Sequence, residues 1–188
     1  SIGVSNFMGA HLERLVGDGL VASATRRPAA AGLPAKTYTA VETRLEITVS
    51  PEDDVEVRRV TLVNRSDRLR EIEVTSLVEV VLAPPADDLS HPAFLKLFLE
   101  TEYRPECAAL LCGRRPRSPG EPTPWAVHVL SAESGVHGAI EWETDRARFI
   151  GRGRTAENPI ALDGRSLSGT AGAVLDPVLS LRRRVRIA

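Results

Sequence analysis

Two glutamates are the side chains of this sequence best placed for acid–base chemistry. Glu141 and Glu143 flank Trp142, and two residues at this spacing share one face of an extended strand. Cleaving a glycosidic bond needs one carboxylic acid to protonate the leaving oxygen and a second carboxylate, or phosphate, on the opposite side. The other acidic residues fall in turns or on wet strand faces: Asp53, Asp54, Asp67, Asp87, Asp88, Glu71 and Glu73. Solvation alone would place carboxylates there, so we expect no catalytic residue in the chain.

Serine, cysteine and histidine provide no further catalytic or metal-binding pattern. No G-x-S-x-G turn is present to expose a serine nucleophile. Cys107 and Cys112 form a lone C-x4-C pair, which supplies at most two metal ligands, so we interpret them as reduced, half-buried thiols. The glycine–arginine run at 151–154 would suit an anion, but an exposed arginine loop is the simpler interpretation. The histidines lack metal-site spacing: His11, His91, His128 and His137. We expect no metal and no cofactor.

Aromatic side chains are the remaining candidates for a binding site. Sugar-binding surfaces use flat rings, because the C–H groups of a pyranose pack on a π face while polar groups at the rim bond its hydroxyls. The candidates are Trp125, Trp142, Tyr103 and Phe149. Core packing is the stronger interpretation of each ring, with carbohydrate binding at Trp125, Trp142 and Tyr103 as the functional alternative.

Size and charge narrow the classes of function. The chain has 188 residues, 43% of them hydrophobic, which is enough for one globular domain with a sizeable core. Its formal net charge of −1 gives no indication of a nucleic-acid partner. No apolar run is long enough to span a bilayer, and residues 1–10 lack a secretory pattern. We expect a soluble, cytoplasmic segment without membrane contact.

The chain from Thr43 onward alternates apolar and polar residues with a period of two, which predicts β-strands. The clearest strands are 45–49, 55–63 with a bulge near Arg58 and Arg59, and 70–82, separated by turns at 50–54 and 64–67. Because short turns make successive strands neighbours, these three should form an antiparallel meander. Further strands are expected at 94–103, 108–112, 125–130, 139–143 and within 173–187.

Proline, glycine and alanine mark the remaining segments. Residues 83–88 and 114–124 are predicted as proline-rich loops, and 83–88 should exclude helix and strand. Helix is expected only at 6–16 and near Asn158 and Pro159, and 23–36 is predicted as a linker. We therefore predict an atypical lead-in and linker at 1–40 and a mostly β, antiparallel β-sandwich domain at 41–188.

Four long stretches of the chain resemble a known family. They are ETRLEITVSPEDDVEVRRVTLVNRSDRLREIEVTSLVEVVLAPPADDLSHPAFLKLF, LCGRRPRSPGEPTPWAVHVL, ETDRARFIGRGRT and LSGTAGAVLDPVLSLRRRVRIA. They are similar to the sandwich region of the bacterial cyclic β-1,2-glucan synthases, within glycoside hydrolase family 94, formerly glycosyltransferase family 36. The resemblance runs from about Thr43 to Ala188.

The resemblance implies a β-supersandwich with the architecture of galactose mutarotase. In that family the sandwich packs against an (α/α)6 barrel that holds the catalytic acid, which implies that this acid lies beyond Ala188. It also implies a large parent enzyme, associated with the inner membrane, whose other half transfers glucose from a sugar nucleotide.

Three hypotheses of function follow. The leading one is a non-catalytic segment that supports the helical domain and shapes its substrate site. The second is an autonomous carbohydrate-binding module for a β-glucan oligosaccharide. The third is an aldose-epimerase-like enzyme, which would need His128 and Glu141 to converge on one anomeric carbon. An apolar docking patch or unpaired sheet edges would in addition favour a homodimer.

Overall fold

The structure is a computed structural model that describes residues 2–6, 21–23, 41–121 and 123–188, which form two facing antiparallel sheets. The strands are β1 (Ile2–Asn6), β2 (Val21–Ser23), β3 (Val41–Val49), β4 (Glu56–Asn64), β5 (Arg70–Thr75), β6 (Val78–Glu79), β7 (Leu99–Arg104), β8 (Ala109–Arg114), β9 (Trp125–Ala132), β10 (Val136–Asp145) and β11 (Pro177–Ile187). The helices are α1 (Pro85–Ser90), α2 (Pro92–Lys96), α3 (Arg146–Ile150) and a 3-10 helix at Ile160–Leu162.

Sheet A has six strands in the order β3-β4-β1-β9-β8-β7. Sheet B has the order β10-β11-β5-β2, and β6 adds a short pairing to β11. Every strand pair is antiparallel. The predicted fold class, a mostly β antiparallel sandwich with few short helices, is confirmed. Two strands, β1 and β2, come from the part of the chain before residue 41.

The main core lies between the two sheets. Alternate residues of each strand point inward, so Leu110 and Leu130 of sheet A meet Val74 and Leu181 of sheet B, all with almost no exposed surface. Burying an aliphatic side chain of this size contributes about 1.5–3 kcal/mol. The opposite residues of the same strands form two outer faces, which carry the candidate sites described below.

The predicted meander is correct for its first two strands only. β3 pairs with β4 in unbroken register from Val41 opposite Asn64 to Val49 opposite Glu56. β5, however, pairs with β11 and β2 in sheet B. At the turn between β4 and β5, the Asn64 side-chain amide donates to the carbonyls of Arg68 and Ile187, at 2.7 and 3.2 Å. This turn therefore leads the chain from sheet A to the end of β11.

Two further strand predictions are wrong. The long strand at 70–82 breaks after Thr75, where the Ser76 hydroxyl accepts from the Leu181 amide and lies 2.7 Å from His128 Nε2. Pairing resumes only at Val78–Glu79. The bulge near Arg58 is absent, since β3 and β4 keep register there. The apolar alternation slips because Glu56 and Arg58 both face inward as a buried ion pair.

The segment at 83–88 was predicted to exclude helix, and this is also wrong. Pro84 and Pro85 take the N-cap and first helical positions of α1, where a missing amide hydrogen costs nothing. Helix α2 then occupies the start of the strand predicted at 94–103, so β7 begins only at Leu99. The 3-10 helix begins directly after Pro159, as predicted. Of the helix predicted at 6–16, Asn6 ends β1; residues 7–16, and 24–36 of the predicted linker, lie outside the described residues.

Candidate functional site

The Trp125 side chain lies on the outer face of sheet A, at the start of β9. Register places Glu100, Gly113 and Trp125 in one row across β7, β8 and β9. The indole ring lies flat over Gly113, where an added Cβ would come within 2.8 Å of a ring carbon. The ring nonetheless keeps 57% of its surface exposed. Gly113 therefore allows a large aromatic ring to lie on the sheet with its other face open to solvent.

This ring forms one wall of a groove of about 450 Å³. The groove is lined by Glu100, Thr101, Glu102, Gly113, Arg114, Arg115, Pro116, Thr123 and Trp125. The Glu100 and Glu102 carboxylates are exposed on the β7 side. The Arg115 guanidinium is held by a hydrogen bond of 2.9 Å to the Leu97 carbonyl. The groove, hereafter the Trp125 groove, thus combines an aromatic face with hydrogen-bond acceptors and donors.

The loop at 114–124 borders the Trp125 groove. Its described residues are irregular and mostly exposed, as predicted. The Arg117 amide donates to the Glu121 carboxylate at 2.6 Å, and the Arg114 amide donates to the Pro124 carbonyl at 3.1 Å. The hydrogen bond from the Arg117 amide is the main reason why the pKa of Glu121 lies below its ordinary value. The hydrogen bond therefore favours the ionised carboxylate and links the two ends of this turn.

Arg114 lies at the base of this loop with only 5% of its surface exposed. Its terminal nitrogens, Nη1 and Nη2, have no hydrogen-bond partner among the described residues. The guanidinium carbon lies 5.7 Å from the centre of the Phe98 ring, a cation–π contact. Arg114, which is among the residues that line the Trp125 groove, is therefore a buried positive charge whose hydrogen-bonding capacity is largely unused.

Tyr103 and Trp142 lie elsewhere. Their rings stack across the two sheets, 3.7 Å apart at an angle of 10°, and pack against the main core. Burial raises the pKa of Tyr103, while the charge of Arg183 acts in the opposite direction. Trp125 points away from the core on the other face of sheet A. The structure therefore brings two of the three candidate rings together inside the sandwich and leaves the third outside.

The fourth ring, Phe149, is buried in a second small core with Ile150 and Ala161. Core packing, the interpretation favoured from the sequence, is confirmed for this residue. All three residues belong to the stretch 146–172, which we call the covering segment. This segment crosses the outer face of sheet B and contains α3 and the 3-10 helix.

Glu141 and Glu143 lie on that outer face of sheet B, below the covering segment. The Glu141 carboxylate lies 2.6 Å from Arg184 and accepts from the Leu167 amide at 2.9 Å. The Glu143 carboxylate accepts from the Ser168 hydroxyl at 2.5 Å and from the amides that follow it in the chain. Both carboxylates are therefore occupied in holding the covering segment on the sheet.

Arg182 is the centre of this arrangement. Its side chain is 1% exposed and donates to the Thr75 hydroxyl at 2.8 Å and to the carbonyls of Arg165 and Ala161 at 2.7 and 2.5 Å. Burial lowers the pKa of Arg182, and the charges of Glu73 and Glu141 oppose that shift. Sequence reasoning missed this residue, although a signal was present: every second residue from Arg182 to Arg186 is an arginine, opposite glutamates on β10 and β5.

His128 and Glu141 do not meet. His128 points into the main core, where its ring contacts Ser76, and Glu141 points outward from sheet B. The two side chains lie on opposite faces of the sheet that contains β10 and β11. This placement removes the geometric basis of the epimerase hypothesis.

The two cysteines differ in environment and are both free: Cys112 is buried in the core and Cys107 is exposed. Burial raises the pKa of the Cys112 thiol to about 12. Within residues 41–121 and 123–188, His, Cys, Asp and Glu side chains form no group of three that would hold a metal ion. In the part of the chain that the structure describes, no helix is both long and apolar enough to cross a membrane.

Comparison with known proteins agrees with the architecture. The family described as "Glycosyl hydrolase 94, supersandwich domain" matches residues 35–188. The chain is also 44% identical, over 153 residues, to the cyclic beta-(1,2)-glucan synthase NdvB of Rhizobium meliloti. That match covers 81% of this chain but 5% of the relative, so the chain corresponds to a small part of that protein. The resemblance seen in the sequence is thereby confirmed, and the chain belongs to the glycosyl hydrolase 94 family through its supersandwich domain.

Proposed function

We propose that this chain is a non-catalytic supersandwich segment of an enzyme of the cyclic β-1,2-glucan synthase type. In this role it supports a helical catalytic domain and shapes the site that holds the glucan. The observation that carries the proposal is the state of Glu141 and Glu143. The two carboxylates best placed for glycosidic chemistry are fixed by ion pairs and hydrogen bonds under the covering segment.

Catalysis requires a carboxyl group that reaches the leaving oxygen and exchanges a proton with it. Glu141 is half-buried between Arg184 and Arg182, whose guanidinium groups lie 2.6 and 3.6 Å from its two oxygens. Glu143 bonds Ser168 and the adjacent backbone. A substrate would have to displace the covering segment to reach either group, so a structural role fits both carboxylates.

The supporting role is favoured by apolar side chains left exposed beside α1 and α2. Leu89, Phe94 and Leu97 all present large apolar surfaces to solvent within ten residues of one another. Several large apolar side chains exposed on one short helical stretch are typical of an interface with another domain or protein. A helical catalytic domain of the same parent enzyme is the partner that the family membership suggests.

The test is phosphorolysis by the purified chain. Linear β-1,2-glucan and inorganic phosphate are incubated with the chain, and glucose 1-phosphate is measured with a coupled assay. We expect no release above a protein-free control, while a complete cyclic β-1,2-glucan synthase provides the positive control. Release that disappears in a Glu141→Gln, Glu143→Gln double variant would show that the chain is itself catalytic and would end the proposal.

A further inference from the structure

We propose that the Trp125 groove is a binding site for a neutral pyranose chain, with Trp125 as the stacking platform. Glu100 and Glu102 accept hydrogen bonds from sugar hydroxyls, and Arg115 and Thr123 donate to them. This inference rests on the proposed function and deepens it, because a segment that shapes a glucan site needs a surface that contacts the glucan. It also separates Trp125 from Tyr103 and Trp142, whose stacked rings face the core.

The Trp125 ring is exposed, and it lies parallel to the sheet surface. A tryptophan normally buries most of its large surface, which contributes strongly to packing. Trp125 instead lies flat on Gly113 with one π face against the sheet and more than half of its surface exposed. A flat, open π face is the geometry that packs against the C–H face of a pyranose.

The rim of the Trp125 groove contains both hydrogen-bond acceptors and donors. Glu100 lies in the same row as the ring, opposite Gly113, and Glu102 lies in the next row on the same face of β7. Arg115 and Thr123 also line the groove. Sugar hydroxyls both donate and accept, so they match such a mixed rim. Two carboxylates and two guanidinium groups line the same groove, so its net charge favours neither an anionic nor a cationic ligand over a neutral one.

The Trp125 groove is large enough for a small ligand, and its polar side chains are held in place. Its volume of about 450 Å³ is within the range of small-molecule sites. The Arg115 guanidinium is held by the Leu97 carbonyl, and the loop above it by the bond from the Arg117 amide to Glu121. Because these groups are fixed before a ligand arrives, little ordering entropy opposes binding.

A purely structural role would also place an aromatic ring over a strand glycine, since such a ring shields the backbone. The two roles differ in what they require of a ligand. A shielding ring predicts a loss of stability on substitution and no affinity for sugar. A stacking platform predicts sugar affinity that depends on the ring.

The experiment is isothermal titration calorimetry of the full chain with linear β-1,2-linked gluco-oligosaccharides of defined length. We expect measurable heat at millimolar ligand and at least a tenfold loss of affinity in Trp125→Ala. Trp125→Phe keeps a stacking ring and should recover part of the affinity, which guards against misfolding of the alanine variant. The matched control is Leu175→Ser, an exposed apolar residue outside the groove, which should bind like the wild type.

The tryptophan emission of the unmodified chain provides an independent measurement. Its other tryptophan, Trp142, is stacked on Tyr103 against the core, so ligand-dependent changes report on Trp125. Sugar stacking on an exposed indole excludes water, so the emission should shift to shorter wavelength as ligand is added. Absence of heat with the wild-type chain, or wild-type affinity in a folded Trp125→Ala variant, would overturn the inference. Both results concern sugar binding and leave the release of glucose 1-phosphate untouched. The inference can therefore fail while the proposed non-catalytic function stands.

Discussion

The outer faces of the two sheets are built from similar residues but are finished differently. On sheet B the covering segment lies over alternating arginines and glutamates, and Arg182 at its centre has partners for all of its nitrogens. On sheet A the Trp125 groove is open, and Arg114, one of its lining residues, is almost as deeply buried but has two terminal nitrogens without a hydrogen-bond partner among the described residues. The buried guanidinium of Arg182 has its hydrogen bonds completed within the chain, and the terminal nitrogens of Arg114 have none among the described residues.

The hydrogen bonds made by a buried charge indicate whether that charge has a structural role. Moving a guanidinium out of water costs several kcal/mol unless ion pairs and hydrogen bonds replace the lost hydration. Arg182 has those replacements, so it fastens the covering segment. The terminal nitrogens of Arg114 lack them among the described residues, and Arg114 lines the groove in which the Trp125 ring is exposed. Arg182 is therefore a structural residue, and the groove beside Arg114 is the place to test for a ligand.

The largest effect should come from Arg182→Met. Methionine fills part of the volume but leaves the Ala161 and Arg165 carbonyls and the Thr75 hydroxyl without their donor. Breaking a buried ion-paired network of this kind costs about 3–5 kcal/mol. Urea denaturation followed by circular dichroism measures the loss. Trypsin cleavage after the exposed Arg152 should also accelerate, because the covering segment loses its anchor.

Arg186→Met is the matched control on the same strand. Arg186 is more than half exposed and lies 3.5 Å from an equally exposed Glu71, so its loss should cost less than about 1 kcal/mol. Equal destabilisation by the two substitutions would show that the covering segment is held by apolar contacts alone, and the contrast between the two faces would lose its basis.

The next effect concerns the ring on sheet A. A Cβ at Gly113 would meet the Trp125 ring at 2.8 Å, so Gly113→Ala must push the ring off the sheet. We expect a loss of about 1–2 kcal/mol, at the lower end of overpacking costs because the exposed ring can swing outward. In a Trp125→Ala background the same change should be neutral or stabilising, since alanine then meets no ring and suits a strand better than glycine.

The measurement is a double-mutant cycle of unfolding free energies. A coupling energy near zero would mean that the ring does not rest on Gly113 in solution. Sugar affinity measured on the same four proteins sharpens the comparison, because displacement of the ring should weaken binding even where the fold is intact.

The sequence predicted the parts of the fold that depend on local pattern. Alternation in β3 and β4 and the turn between them identified a hairpin, because neighbouring strands are specified by residues close in the chain. The partner of β5 is set by β11, more than a hundred residues away, and no local pattern encodes that choice. The buried pair Glu56 and Arg58 misled for a similar reason, since polar residue types conceal inward-facing positions.

The candidate site was predicted in part. Aromatic type identified Trp125 and Trp142 equally, because composition does not tell an outward ring from one that stacks between sheets. The acidic pair was correctly placed on one strand face, yet its role depends on Arg182 and Arg184, which come from another strand. The exposure of Trp125 depends on Gly113, a cross-strand neighbour that only the register reveals.

The smallest effect should come from Arg114→Met, the same substitution as on sheet B but with the opposite expectation. Methionine removes a buried guanidinium whose terminal nitrogens have no partner among the described residues, and it keeps the apolar stem. The lost cation–π contact with Phe98, about 0.5–2 kcal/mol, is offset by removing an unsatisfied buried group, which costs about 1–3 kcal/mol. Urea denaturation should therefore show stability unchanged or raised by about 1 kcal/mol. A loss of stability comparable to that of Arg182→Met would mean that the Arg114 guanidinium already has hydrogen-bond partners within the folded chain. The contrast between Arg114 and Arg182 would then be wrong.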